Sequence, residues 1–316
     1  MIGAGLEVSR LSLGCAPLAN LYTAVDPAVA DATVHAALEA GITYFDTAPH
    51  YGAGLSETRT GAALSGVARS SFRISTKVGR LLVPGGPRNQ IFDDVPDLRS
   101  SFDFSADGVR RSLEASLERL GLDRVDIVYM HDPDDHMEQA IAEAFPVLRR
   151  WRDEGVVGAI GAGMNYAAAL TRIVREADVD CVLLAGQYTL LDQTALDELL
   201  PLCDSTGTRV VAAAVFNSGV LADPSDDATF FYSPASPEIL DRARRMQAVC
   251  ARHDVALAAA AMRFPLGHPA IETVLVGMRS PEEIVANATA FDVQIPPEMW
   301  AELKADGLLP THIPTP

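Results

Sequence analysis

The stretch ITYFDTAPHYG, residues 42–52, decides how the chain is read. It opens as a buried strand through Ile42, Tyr44 and Phe45, and then finishes on the carboxylate of Asp46. Proline and glycine follow within six residues, so a loop takes over there. A hydrophobic strand that ends on a carboxylate and returns a tyrosine, Tyr51, five residues later carries polar groups at its C-terminal end.

The same pattern recurs in both directions. Apolar runs lie at 11–18, 42–46, 72–78, 125–131, 157–163, 181–187, 209–216 and 273–277, with helix-like segments between them. Residues 106–120 place Val109, Leu113, Leu117 and Leu120 along one side of a helix, and 27–40 reads likewise. Asp26, Ser236 and Ser280 each precede a proline as helix-capping residues, and Gly41, Gly121 and Gly155 stand where helices end. Continuous apolar strands alternating with helices imply a parallel sheet buried on both faces. Eight such units, with no linker between them, predict a single-domain α/β (β/α)8 TIM barrel over residues 1–316. The long irregular stretches 80–105 and 217–236 both follow strands, which puts them on the C-terminal face where barrels carry active sites. Residues 1–8 are expected to form a short hairpin closing the opposite end.

Composition sets bounds on function. The 316 residues are 48% hydrophobic and 21% charged, with a formal charge of −17 that would repel a nucleic acid. No apolar run approaches the ~20 residues that span a bilayer, and MIGAGLEVSR does not read as a secretory signal. Cys15, Cys181, Cys203 and Cys250 are widely spaced and are expected to be free thiols in a cytoplasmic protein.

Four polar residues fall at or just beyond the ends of adjacent strands: Asp46, Tyr51, Lys77 and His131. Singly, each has an ordinary reading: an aspartate capping a turn, a lysine in solvent, a satisfied core histidine. Together they are harder to dismiss, because Lys77 interrupts FRISTKVG and His131 ends VDIVYMHD, both otherwise apolar. A buried lysine needs a charged partner, and the neighbouring strand offers Asp46.

GITYFDTAPHYG, STKVG, VDIVYMHDPD, GAGMNY, QYTLLDQ and VLVGMRSPEEIVAN resemble, in order, the barrel motifs of the aldo-keto reductases. The resemblance covers nearly the whole chain. It implies a catalytic tetrad of Asp46, Tyr51, Lys77 and His131, with Tyr51 as acid in carbonyl reduction and base in alcohol oxidation. A free phenol titrates near pH ~10, so an adjacent ammonium is expected to favour its phenolate.

A side-chain tetrad supplies no hydride, so a nicotinamide cofactor is implied. By the resemblance, Asn165 and Gln187 would bond its carboxamide, and Phe216 would stack on its ring where tyrosine is more usual. Asn217, Ser218, Gly219 and Leu221 would hold the pyrophosphate, and Gly277, Arg279, Ser280, Glu283 and Asn287 would form the adenosine site. A carboxylate at Glu283 would repel a 2′-phosphate, which favours NAD over NADP, while Arg279 pulls the other way.

APLANLYTAV, VFNSGVL and FFYSPASPEI look like the branch of the family containing L-fucose or D-threo-aldose 1-dehydrogenases and pyridoxal 4-dehydrogenases. That branch implies oxidation of a cyclic hemiacetal to a lactone, with Asn20 and Tyr22 as substrate contacts. A natural-product carbonyl reductase is a second reading. A barrel metallohydrolase using residues 131–136 (HDPDDH) is a third, disfavoured because so many ligand types in one turn cannot converge. No metal site is expected. The partner expected is a small molecule, with neither nucleic acid nor membrane.

Overall fold

The computed structural model describes residues 1–3, 5–85 and 91–316, so part of the long stretch after the third strand lies outside the described residues. Eight parallel strands close into a barrel: β1 Leu11–Gly14, β2 Tyr44–Asp46, β3 Arg73–Val78, β4 Ile127–His131, β5 Ala159–Met164, β6 Cys181–Ala185, β7 Arg209–Ala213 and β8 Ile271–Gly277. Each pairs with its neighbours in sequence order, and β1 pairs with β8 to complete the ring. Strands buried on both faces need apolar residues at every position, which is why they read as continuous runs.

Alternation sorts those residues into two cores. Phe45, Ile74, Val128, Ile160, Val182, Val210 and Val274 point outward beneath the helices. Tyr44, Ile127, Tyr129, Cys181, Leu183, Val211 and Leu275 fill the lumen. Each large apolar side chain so buried stabilises the fold by about 1.5–3 kcal/mol.

Helix boundaries follow local chemistry. Asp26 Oδ1 accepts from the Ala28 amide at 2.8 Å to start Pro27–Glu39. Ser105 accepts from the Gly108 amide at 2.9 Å to start Ala106–Leu120, which ends on Gly121 at φ 62°. Several strands stop earlier than the apolar runs suggest. The first ends at Gly14, before a short 3-10 turn over Pro17–Ala19, and the seventh ends at Ala213, three residues before Phe216.

Residues 2 and 6 bridge antiparallel at the lower end, and fully buried Ile2 joins the lumen cluster as a plug. On the upper face, the segment after β3 forms a hairpin, Arg80–Pro84 with Leu98–Phe102. Residues 91 and 92 reach the loop after β1, where Leu21 bridges Phe92 and Tyr22 N donates to Ile91 O at 2.8 Å. A second hairpin, Thr229–Phe230 with Ser233–Pro234, rises from the loop after β7. Among the described residues no helix is long and apolar enough to cross a membrane. All four cysteines are buried and free.

Candidate active site

The register between β2 and β3 sets Asp46 directly beside Ser75, with Lys77 one inward position further up. Lys77 Nζ donates to Asp46 Oδ2 at 2.6 Å, to Thr47 O at 3.1 Å and to the Tyr51 hydroxyl at 2.9 Å. All three ammonium protons therefore have acceptors, which a buried lysine requires. Removing Asp46 would leave that charge unpaired, at a cost of about 3–5 kcal/mol.

Tyr51 reaches this point because the chain turns sharply after β2. Its amide donates to Ala48 O at 3.1 Å, and Gly52 follows at φ 58°. A Cβ at Gly52 would lie 2.6 Å from both the Cβ and the carbonyl oxygen of Ala19, so the turn requires glycine on two counts. Space for the lysine stem comes from β5, where a Cβ on Gly163 would stand 3.3 Å from Lys77 Cε.

Burial would pull the Lys77 ammonium down, but Asp46 and Tyr51 outweigh it and hold it above the usual lysine range. Burial likewise raises Tyr51. Lys77 pulls the phenol back, Asp46 offsets that pull, and the net shift is upward. Lys77 favours the phenolate as expected, but burial outweighs it, and in this dry setting the pair rests as ammonium and neutral phenol. His131, buried at the end of β4, is held well below the usual histidine range by burial and then by Arg80, Lys77 and His50. It is neutral at pH 7, and its Nδ1 is buried without a hydrogen-bond partner among the described residues.

These groups open into a cavity of about 320 Å3. One wall is polar, formed by His50, Arg80 and Asp132, of which the sequence points only to Asp132, and then as a metal ligand. Burial, Arg80 and Lys77 lower His50 to about 4, so it too is neutral. Arg80 pairs with Asp132, lies over the Phe102 ring at 4.8 Å and keeps a buried Nε without a partner. Phe92 and Tyr232 also line the space. Tyr232 follows Phe231 in a two-residue turn with φ of 63° and 51°, a left-handed conformation that bulky residues rarely adopt. The sequence signals were a histidine beside Tyr51 and a charged residue closing each of STKVGR and YMHD.

The opposite side is lined by Gly163, Ala185, Ala213, Ala214 and Gly277. These five small residues stand among Met164, Leu183 and Leu275, with Asn165 beside them. A flat ring with a carboxamide fits this surface.

Other expected cofactor contacts are placed differently. Gln187 Oε1 accepts from the Ala167 amide at 2.7 Å, starting the helix Ala167–Glu176. Phe216 lies three residues beyond the end of β7 at Ala213, is partly buried against the outer core, and is not among the residues lining the cavity. The amides of Gly219 and Leu221 donate to Phe216 O at 3.0 and 3.1 Å, and that of Asn217 to Ala214 O at 2.9 Å. Those three are not free for a pyrophosphate, whereas the Ser218 hydroxyl, which accepts from the Tyr232 amide at 3.0 Å, still has its proton to donate. Asn217 spends its side chain on Thr189 and Gly186.

At the end of β8, Ser280 accepts from the Glu283 amide at 3.3 Å to start Pro281–Phe291. Glu283 Oε2 accepts from the Arg279 amide at 2.9 Å, and Asn287 Nδ2 donates to Glu283 O at 3.0 Å. Gly277 lines the cavity just before them.

Neither expected substrate contact lines the cavity. Asn20 is buried, with Oδ1 accepting from Val25 N and Arg59 Nη1 at 2.9 Å each and Nδ2 donating to Asp94 O at 3.1 Å. It latches the stretch at Asp94 to the loop after β1. Tyr22 stands outside the mouth, 54% exposed. The run 131–136 does not converge: Asp132 faces Arg80 and His136 packs on Phe102 and Phe104. No three metal-ligating side chains come together among the described residues.

A phenol held against a buried ammonium can exchange a proton but has no hydride to give, so redox chemistry here would need a cofactor. Residues 10–306 match the model of the Aldo/keto reductase family, and the chain belongs to that family. It is 46% identical to a D-threo-aldose 1-dehydrogenase of Pseudomonas sp., over 98% of this chain and 97% of the relative. A pyridoxal 4-dehydrogenase of Microbacterium luteolum is 40% identical, over 96% of each chain. Among solved structures, the glycerol dehydrogenase of Gluconobacter oxydans superposes with a TM-score of 0.78 at 23% identity, covering 100% of this chain and 96% of that one, which shows a shared fold.

Proposed function

We propose that the protein oxidises the anomeric carbon of an aldose in its ring form, of the L-fucose or D-threo type, to the lactone, with NAD as cofactor. The observation that carries this reading is the Tyr51 hydroxyl, 2.9 Å from Lys77 Nζ, in a cavity with a polar wall of His50, Arg80, His131 and Asp132. A hydroxyl-rich substrate needs such polar partners, which an apolar carbonyl compound would leave unused. The similarity to the D-threo-aldose 1-dehydrogenase supports the same substrate class.

Bound nicotinamide supplies the hydride acceptor. With it bound, Tyr51, as phenolate beside Lys77, would accept the anomeric hydroxyl proton, the proton transfer that conversion of the hemiacetal to the lactone requires. Lys77 stabilises the negative oxygen, Asp46 keeps Lys77 in place, and neutral His131 orients the substrate oxygen. Asn165 would hold the carboxamide, the Ser218 hydroxyl would meet a phosphate, and Gly277 to Asn287 would cradle the adenosine. Glu283 supports NAD: Arg279 is already engaged by it, and Glu282 adds a second carboxylate to the same helix turn. Buried free thiols suit a cytoplasmic setting.

A panel of aldoses, pyridoxal and simple ketones, followed at the nicotinamide absorbance, tests the assignment. Activity confined to hydrophobic ketones would overturn the sugar reading. Preferential oxidation of pyridoxal would instead favour a pyridoxal 4-dehydrogenase, which the Microbacterium relative and the aromatic Phe92 and Tyr232 support.

A further inference from the structure

The polar network of the site does not stop at Asp46. Below it, inside the lumen, Ser75 Oγ donates to Asp46 Oδ1 at 2.7 Å, and the Tyr44 hydroxyl donates to Ser75 Oγ at 2.9 Å. The hydroxyls of Tyr44 and Tyr129 are 3.2 Å apart, and Cys181 Sγ lies 3.6 Å from that of Tyr129. Tyr44, Ser75, Tyr129 and Cys181 are all fully buried.

One end of this chain fixes the direction of every bond in it. Asp46, paired with Lys77, is an anion and can only accept. Ser75 must spend its single proton on Asp46, so Tyr44 must donate to Ser75. Tyr44 then has no proton left for Tyr129, which must be the donor to Tyr44 and in turn the acceptor from Cys181. The thiol's other possible acceptor, Ile160 O, is more distant at 3.9 Å. Burial holds both phenols and the thiol well above their usual ranges, so all remain donors at any working pH. The strand β5 makes room for this arrangement: a Cβ on Gly161 would lie 3.2 Å from the Tyr129 ring and 1.9 Å from Cys181 O.

We propose that Ser75, Tyr44 and Tyr129 are positioning residues for the reaction, forming a one-way hydrogen-bond chain whose aligned dipoles hold and partly neutralise the Asp46 carboxylate. The inference rests on the tetrad reading given above. In a low-dielectric lumen such dipoles polarise one another and add. Weakening them leaves more uncompensated negative charge at Asp46, which cancels more of the Lys77 field at Tyr51. The phenol then becomes harder to ionise and sugar oxidation slows.

The test uses Ser75→Ala, Tyr44→Phe, Tyr129→Phe and the hydroxyl-retaining Ser75→Thr. The expected result is a rise of kcat/KM with pH displaced upward by about one unit in Ser75→Ala, so about tenfold slower oxidation at a fixed pH below the plateau. Tyr44→Phe should give a smaller displacement and Tyr129→Phe the smallest, with cofactor affinity unchanged and Ser75→Thr near wild type. Tyr44→Phe and Tyr129→Phe each delete one oxygen, so they decide the matter if Ser75→Ala does not fold. A double-mutant cycle read by urea midpoint supplies a measure independent of turnover: Tyr44→Phe should lose most of its effect in an Asp46→Asn background. Unmoved pH profiles with additive stability losses would overturn the chain as a positioning device and leave it as packing. Failure of the tetrad reading is recognised separately, by a Tyr51→Phe enzyme that keeps its turnover.

Discussion

The Tyr51 hydroxyl accepts a hydrogen bond from Lys77 at 2.9 Å, yet burial leaves the phenol harder to ionise than a free tyrosine. Proximity of an ammonium is therefore not sufficient to activate the phenol, because burial outweighs the pull of Lys77 and Asp46 offsets part of that pull.

Tyr51→Phe should abolish turnover while nicotinamide binding, measured by fluorescence titration, stays within a few-fold of wild type. The ring remains to pack and only the proton-carrying oxygen is lost. More than about a tenth of wild-type turnover would show that another group handles the proton.

The raised phenol has a pH signature. A base that must lose its proton first, and whose pKa lies above the ordinary value, gives an oxidation rate that climbs with pH and does not level off in the neutral range. Steady-state kcat/KM should still be rising at about pH 9. A plateau below that would mean that bound ligands lower the phenol.

Cofactor choice should follow Glu283. NAD is expected to give the higher kcat/KM, and Glu283→Arg should narrow or reverse the preference, since a tenfold change needs only about 1.4 kcal/mol. A wild-type preference for NADP would show that Arg279 dominates despite its contact with Glu283.

Arg80→Met should raise the sugar KM by about tenfold or more, the range for losing a charged hydrogen bond, with cofactor affinity unchanged. An unchanged KM would remove the polar wall from substrate recognition.

Gly161→Ala should destabilise the barrel by about 3 kcal/mol or more, because its Cβ would meet the Cys181 carbonyl at 1.9 Å and neither strand can yield cheaply. Urea unfolding checks this, and a loss under 1 kcal/mol would mean that β5 and β6 can separate locally.

The barrel was legible because parallel strands covered on both sides must be apolar throughout, and Asp46, Lys77 and His131 were legible as interruptions of that rule. The lumen chain was not, since Tyr44 and Tyr129 count as apolar in a strand and nothing in one dimension shows that their hydroxyls meet. The extent of the seventh strand was not legible either: the apolar run continues past Ala213 although the strand does not, so the cavity lining there is Ala213 and Ala214 and not Phe216. Asn20 looked available for a ligand, and only its three hydrogen bonds show it to be a latch. Arg80 and Asp132 follow their strands among many exposed charges, and their pairing depends on the β3–β4 register.

Ile2, fully buried in one cluster with Tyr129 and Cys181, plugs the lower end of the lumen. Among the described residues the lumen hydroxyls are therefore shielded from water on that side. Deuterium placed on them would leave on the slow clock of local unfolding, while the proton on Tyr51 exchanges through the mouth at the pace of turnover. Two sets of hydroxyls within one connected network would keep different time.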